Sequence, residues 1–222
     1  MSWQSGTLNI SGMSFEHEVV LIGYSGHGYV AADCLISNGY RIIGYCDREE
    51  KEANPQGLKF LGRETELSAA LYRMSLFVGI GSNSIREKVM RAMRSRGSVR
   101  FADAHHRRAV ISPSANIDPG TMVAPGVVIN AGAVIGEGVI CNTACVVEHE
   151  CRIGNYAHVA PGAVLAGNVR VGDGSFIGAG SVVRQGIRIG SRVTVGAGAV
   201  IIKDIPDGAT VVGNPGRIIK QL

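Results

Sequence analysis

The feature that most constrains this chain is a period of six residues in its second half. Taking every sixth residue from Ile111 gives Ile117, Val123, Ile129, Ile135, Cys141 and so on to Ile201. These are sixteen consecutive positions without a break, and Cys141 alone is not Ile, Val or Leu. Four residues after each comes mostly a small or β-branched residue, such as Ala115, Thr121, Ala133, Cys145, Ala163 or Ser181. Gly often follows the aliphatic position directly, as at Gly136, Gly154, Gly172 and Gly190. Each hexad reads as one short strand and one corner of a parallel β-helix. The aliphatic residue points inward and stacks on its counterparts. The small residue fits where the backbone turns inside a narrow prism, and Gly permits positive φ at corners. Three hexads close one triangular coil, so the run predicts about five coils.

The first half reads differently. Glu18–Gly23 is a short aliphatic strand, Tyr29–Asn38 a helix, Arg41–Cys46 a second strand ending at Asp47. Glu64–Arg73 is expected to be helical, Leu76–Ile80 a third strand, and Ser84–Arg96 a helix. Strands alternating with helices predict a parallel sheet with right-handed crossovers. The fold class is thus an α/β Rossmann-like N-terminal domain followed by an all-β parallel β-helix. The expected boundaries are a flexible arm over 1–15, the α/β domain over 16–102, a polar linker over 103–110, the β-helix over 111–203 and a tail over 204–222.

Composition excludes several alternatives. The chain has 222 residues with 45% hydrophobic, 18% charged and 31 Gly, and its net charge is +4. That apolar share argues against a disordered chain, and the low charge and high Gly argue against a coiled coil. The Gly does not follow a three-residue period, so collagen is excluded. The weak positive charge does not imply nucleic acid, and the basic run Arg91, Arg94, Arg96 lacks the interleaved aromatics that stack bases. Five cysteines, an odd number with no CxxC pair, predict free thiols and a cytoplasmic location. No run of 18 apolar residues occurs, so no membrane span is expected.

Three groups of residues carry candidate chemistry. Gly23-Tyr24-Ser25-Gly26-His27-Gly28 lies between a strand and a helix, where backbone N–H groups and the helix dipole favour phosphate. Its spacing is GxxGxG rather than the dinucleotide GxGxxG, which argues against an NAD oxidoreductase. The loop is either a cradle for a nucleotide diphosphate or a plain tight turn. Asp47 stands where a carboxylate commonly meets ribose or base. In the β-helix, Glu148-His149-Glu150 occupies positions where hexads usually carry small residues. His149 is the candidate general base, since imidazole matches base work near neutral pH. Neighbouring residues on a strand face opposite ways, so Glu150 can support His149 only at a corner; Glu148 is the rival partner. Cys141, Cys145 and Cys151 are read as core filling. A zinc site is the sharper alternative, but only His149 and His158 lie in the coils, so no metal is expected.

The hexad pattern resembles that of the left-handed β-helix acyltransferases. The two halves together, with G-x-S-G-H-G, Glu-His-Glu and the closing Gly213-Asn214-Pro215-Gly216-Arg217, are similar to the nucleotide-sugar N-acetyltransferases of the bacillosamine and perosamine type. Sialic acid O-acetyltransferases are relatives. The resemblance covers roughly 18–220. It implies a left-handed coil, a homotrimer with active sites between prisms, and acetyl-CoA as the acetyl donor. The implied acceptor is the 4-amino group of a UDP- or GDP-linked amino-deoxy sugar; O-acetylation of sialic acid or a similar hydroxyl is the alternative, and a non-catalytic sugar-nucleotide scaffold is a third class. The resemblance further implies that Glu150 raises the basicity of His149 and that His158 touches acetyl-CoA; read without it, His158 is a surface residue. It implies that the Gly167 N–H faces the thioester oxygen, that Ala179 and Ala197 line the CoA groove, and that Ser25, Gly26, His27, Asp47 and Gly81 contact the sugar nucleotide. Some relatives carry a second acid where Arg48 stands here. That leaves uracil, guanine and thymine open, and Arg48 itself is a candidate contact for phosphate or ribose.

Overall fold

The computed structural model describes residues 17–221. The expected arm over 1–15 and the terminal Leu222 lie outside the described residues. Strand β1 (His17–Ile22) leads through the glycine loop into helix α1 (Gly26–Ser37), and β2 (Tyr40–Cys46) follows. After a long loop come α2 (Ala69–Tyr72), β3 (Ser75–Val78), α3 (Asn83–Arg94) and β4 (Arg100–Phe101). The strands form one parallel sheet in the order β2-β1-β3-β4. Val19–Ile22 are fully or almost fully buried, as an unbroken aliphatic run in a parallel sheet covered on both faces requires. α1 starts earlier than the sequence predicts, at Gly26. Gly28 lies on the helix, where a side chain would collide with the carbonyl oxygen of Gly23. This glycine serves close helix–strand packing.

The single helix expected over Glu64–Arg73 is two pieces. A 3-10 turn covers Glu64–Glu66, Leu67 is extended, and α2 then begins. Ser68 caps the second piece by accepting the Leu71 N–H at 3.4 Å. A Ser at an N-cap competes with helix continuation, and here it starts a new helix.

The second half is a triangular β-solenoid whose strands pair in parallel with the strand eighteen residues on. Its three faces differ outside. One face presents Val110, Val128, Val146, Val164, Val182 and Val200. A second presents Arg152, Arg170 and Arg188 in register. The third carries Met122, Ile140, His158 and Phe176 beside the α/β domain. These are the valine, arginine and domain faces. Inside, the hexad residues from Val123 to Ile201 are buried, and the buried hydroxyls of Thr121, Ser175 and Ser181 donate to the carbonyls of Gly136, Gly190 and Gly178.

The solenoid is longer than the five coils expected, at about six. Ala104–His105, within the segment expected to be a linker, pairs with Met122–Val123 as the first strand of the domain face. His105 occupies the next hexad position upstream of Ile111, which an aliphatic pattern does not reveal. At the other end Thr210–Val212 extends the same sheet, and Arg217–Lys220 returns antiparallel to close it. One continuous buried core joins both halves: it includes Leu35, Tyr45 and Phe77 as well as Val123 and Leu165. Arg94 pairs with Glu137 at 2.6 Å across the junction, and Asn38 donates to the Asp103 carbonyl at 3.1 Å. Among the described residues no helix is long and apolar enough to cross a membrane.

Leu165 stacks in the middle of the prism and is fully buried. Leu165→Ala is expected to cost about 2–5 kcal/mol, read as a lower midpoint in denaturant unfolding, because neighbouring coils fix the cavity walls.

Candidate active site

The Glu148–Glu150 segment turns the edge between the valine face and the arginine face. It follows strand Val146–Val147 and precedes Arg152–Ile153. Glu150 has φ of 60°, the left-handed conformation that every sixth residue adopts at the prism corners. That turn overrides the strand alternation that would part neighbouring side chains. The Glu150 carboxylate lies 3.2 Å from His149 Nδ1. Glu148 instead accepts the backbone N–H of His149, at 3.4 Å. Of the two acids, Glu150 is the one at the ring.

The other edge of the imidazole lies against the next coil. A Cβ at Gly167 would be 2.5 Å from both Cε1 and Nε2 of His149. Glycine at this position leaves the room that the ring occupies. The Asn168 N–H donates to the His149 carbonyl at 2.8 Å and fixes the two coils in register. The Gly167 N–H has no carbonyl acceptor among the described residues. His149 stays about half exposed, so its ring is held by one acid and one backbone yet open to a substrate.

A second group forms where the α/β domain meets the solenoid. α1 and α3 both start at the carboxyl ends of β1 and β3, adjacent strands at which the chain order reverses. Such a crevice is the usual ligand position in an open α/β sheet. Ser25 and Gly26 are exposed at the start of α1. His27 follows, and Gly81 packs against its side chain. The His27 ring centre lies 6.0 Å from that of His158, which reaches up from the domain face and stands 5.0 Å from Phe176. His158 is only 8% exposed, so it is no surface residue. Its Nε2 is 3.1 Å from the Asn142 amide nitrogen. Burial, followed by the Arg86 charge, lowers His158 to about 3 and His27 to about 4, so both rings are neutral near pH 7.

Asp47 shapes the glycine loop. One carboxylate oxygen accepts the Tyr24 N–H at 3.0 Å; the other accepts the Arg48 N–H at 2.7 Å and faces Lys51 Nζ at 3.3 Å. Arg48 is exposed beside it. A groove of about 860 Å³ runs from Gly81, Ser82 and Asn83 to Phe176, Arg192 and Thr194. Ala179 and Ala197 are exposed one coil apart, on the edge between the domain and valine faces. They share neither the edge of His149 and Gly167 nor the face of His158. A trough of about 730 Å³ along the arginine face holds none of the expected residues.

All five cysteines are free and buried. Burial pushes Cys34 and Cys46 up to about 12 and Cys151 up to about 11, which suits packing rather than nucleophilic work. Among the described residues no cluster of His, Cys, Asp and Glu is arranged to hold a metal.

Two features escaped the sequence reading. The valine ladder carries its own signal, a Val at every eighteenth residue from Val110 to Val200. Arg86 also left a trace, since it shares the buried stripe of α3 with Met90 and Met93 at positions i, i+4 and i+7.

Known proteins match this arrangement closely. The PglD N-terminal domain family matches residues 18–93, and the bacterial transferase hexapeptide family matches residues 168–203. The acetyltransferase domain of PglB from Neisseria gonorrhoeae, solved with acetyl coenzyme A, is 37% identical with a TM-score of 0.84, over 91% of this chain and 99% of that one. Perosamine N-acetyltransferase from Caulobacter crescentus, solved as a mutant with CoA and GDP-perosamine, is 35% identical with a TM-score of 0.84, over 93% of this chain and 98% of that one. WeeI from Acinetobacter baumannii is 26% identical with a TM-score of 0.78, over 90% and 99%. With the hexad solenoid, the α/β domain and these matches together, the chain belongs to the left-handed β-helix family of acetyl-CoA-dependent sugar N-acetyltransferases.

Proposed function

We propose that this enzyme acetylates the 4-amino group of a nucleotide-linked amino-deoxy sugar, with His149 as general base. The observation that carries the reading is the His149 imidazole held between the Glu150 carboxylate and the Gly167 backbone. Acetyl-CoA supplies the acetyl group as a thioester already activated toward amines. His149 Nε2 takes the proton of the attacking amine as the C–N bond forms and returns it to the sulfur as the C–S bond breaks, so that CoA leaves as the thiol. Glu150, on Nδ1, holds the ring and stabilises the imidazolium. The Gly167 N–H donates to the carbonyl oxygen as negative charge develops there. The sugar nucleotide sits at the crevice between β1 and β3, with its diphosphate at the starts of α1 and α3 near Ser25, Gly26, His27 and Gly81. Asp47 and Arg48 border the base and ribose. GDP-perosamine bound to the Caulobacter relative supports an acceptor of this chemical class.

The active assembly is a trimer in this reading. Val110 is 64% exposed and Val182 is 40% exposed on a face of stacked valines, an apolar strip that an isolated chain would leave in water. Turning that face to a three-fold axis brings the His149–Gly167 edge of one chain beside the Ala179–Ala197 edge of the next. The CoA arm then runs between them, and His158 borders its reactive end. Free buried thiols and the use of acetyl-CoA support a cytoplasmic location.

Thiol release from acetyl-CoA is to be followed against UDP-, GDP- and dTDP-linked 4-amino sugars and free sialic acid. Release is expected with one amino-sugar nucleotide, and His149→Ala should slow it by about a hundredfold or more. An undiminished rate in a folded His149→Ala protein would contradict the assignment. Release with sialic acid alone would transfer the reaction to hydroxyl acceptors.

Glu150→Gly separates stability from activity. It should unfold no earlier than the parent, since relieving a left-handed non-glycine residue is worth about 1 kcal/mol. Transfer should nevertheless slow. Equal activity would remove Glu150 from the mechanism.

Val164→Glu should reduce the mass seen by light scattering from three chains to one and lower transfer with it. A monomeric variant with full activity would show that one chain suffices.

A further inference from the structure

Among the described residues Arg86 is the only Arg, Lys, Asp or Glu side chain that is buried, and the acetyl-transfer chemistry does not use it. It is 1% exposed, and among the described residues no carboxylate pairs with it. A buried, unpaired cation is expensive, and an apolar residue would pack the α3 stripe at lower cost. The guanidinium is compensated instead by oxygen acceptors from both halves of the molecule. Nε donates to the Gly138 carbonyl at 2.7 Å. Nη1 donates to Ile80 at 2.9 Å and Gly81 at 3.2 Å. Nη2 donates to Tyr156 at 2.8 Å, to Ala157 at 3.3 Å and to the Asn83 side-chain oxygen at 2.9 Å. The Asn83 amide nitrogen in turn donates to Gly174 at 3.0 Å and Ser175 at 3.1 Å.

These acceptors are not scattered. Gly138, Tyr156 and Gly174 are the same corner position of three successive coils, eighteen residues apart. Arg86 spans the first two and Asn83 reaches the third. The remaining donors hold Ile80 and Gly81, the loop that packs on His27. Only a planar fork with five N–H groups meets acceptors on so many sides; a lysine ammonium has three donors at a point.

The geometry points to Arg86, with Asn83 as its partner, as the positioning residue that locks the nucleotide-binding loop onto the prism and so sets where the acceptor's amine meets the acetyl-transfer edge. This rests on the acceptor site proposed above. A second consequence follows from the charge. His158 faces Arg86, His27, the Asn142 amide and Phe176, and His27 faces Arg86 and His158; no carboxylate is among these groups. Burial and then the guanidinium disfavour a proton on either ring. Two uncharged imidazoles therefore line the crevice.

The two duties separate by substitution. Arg86→Lys keeps the charge and loses the fork. Asn83→Ala breaks the third-coil contact and leaves Arg86 in place. Both should raise the acceptor KM by about tenfold and leave the acetyl-CoA KM within about twofold. NMR titration of the His27 and His158 ring carbons should show both rings uncharged down to pH 5 in the parent and in Arg86→Lys. In Arg86→Met both should take up a proton at higher pH than in the parent. Folded Arg86→Lys and Asn83→Ala proteins with parental KM values for both substrates would overturn the proposal. So would an equal rise in both KM values, since that marks general loosening. Should Arg86→Met not fold, Asn83→Ala and Arg86→Lys still decide it. If the parent releases no CoA thiol with any amino-sugar nucleotide, the acceptor reading fails; the ring titrations then report separately whether Arg86 governs the crevice.

Discussion

Each hexad must carry the chain around one edge of a triangular prism, and it does so by placing one residue with positive φ at the corner. From Gly120 to Gly198 every sixth residue adopts this conformation. Most are glycine, but Ala144, Glu150, Tyr156, Asn168 and Arg192 are not. L-residues pay about 1–2 kcal/mol for the left-handed conformation, so a side chain at such a position calls for a reason. At Glu150 the side chain meets the His149 ring. The corner is where consecutive side chains can converge, and it alone lets Glu150 reach the ring of its own neighbour. The coil repeat then puts Gly167 one turn further on, under the same ring. The His149–Glu150–Gly167 arrangement is thus a property of the solenoid's geometry.

The α/β domain depends on the same repeat in a different way. Arg86 and Asn83 engage the carbonyls of three stacked corners, so the distance between coils sets the height of the Ile80–Gly81 loop on the prism. A rigid support of this kind is what an amine transfer needs. The acetyl carbon and the attacking nitrogen are carried by separate substrates, and misplacement of about 1 Å can cost about a hundredfold in rate. Repetition along the valine face has its own consequence, since a strip of identical aliphatics favours burial against copies of itself.

Much of this was legible in the residues, for identifiable reasons. The hexad aliphatics from Ile111 to Ile201 announce themselves because inward positions must be apolar. The parallel sheet followed from the aliphatic run of β1 and the strand–helix alternation. His149 and its acids stood out as charged residues in a pattern of small ones. Other features were hidden. Whether Glu148 or Glu150 serves the ring depends on one φ angle, which spacing does not reveal. His105 fills a hexad position without an aliphatic side chain, so the first strand of the domain face looked like a linker. Ser68 split a helix that its neighbours would have continued. Without the resemblance His158 read as a surface residue, because its cover comes from α1 and α3, far away in sequence. The pairing of Asp47 with the Tyr24 N–H and Lys51 is likewise a long-range fact.

The central claim is that an acetyl group passes to a sugar amine on an intact nucleotide. Incubation with carbonyl-labelled acetyl-CoA and the accepting nucleotide sugar, followed by carbon NMR of the product, tests it most directly. The account predicts an amide carbon coupled to the nitrogen at C4 of the sugar, with the diphosphate still attached. An ester carbon on a sugar hydroxyl would contradict it, as would label recovered only as free acetate.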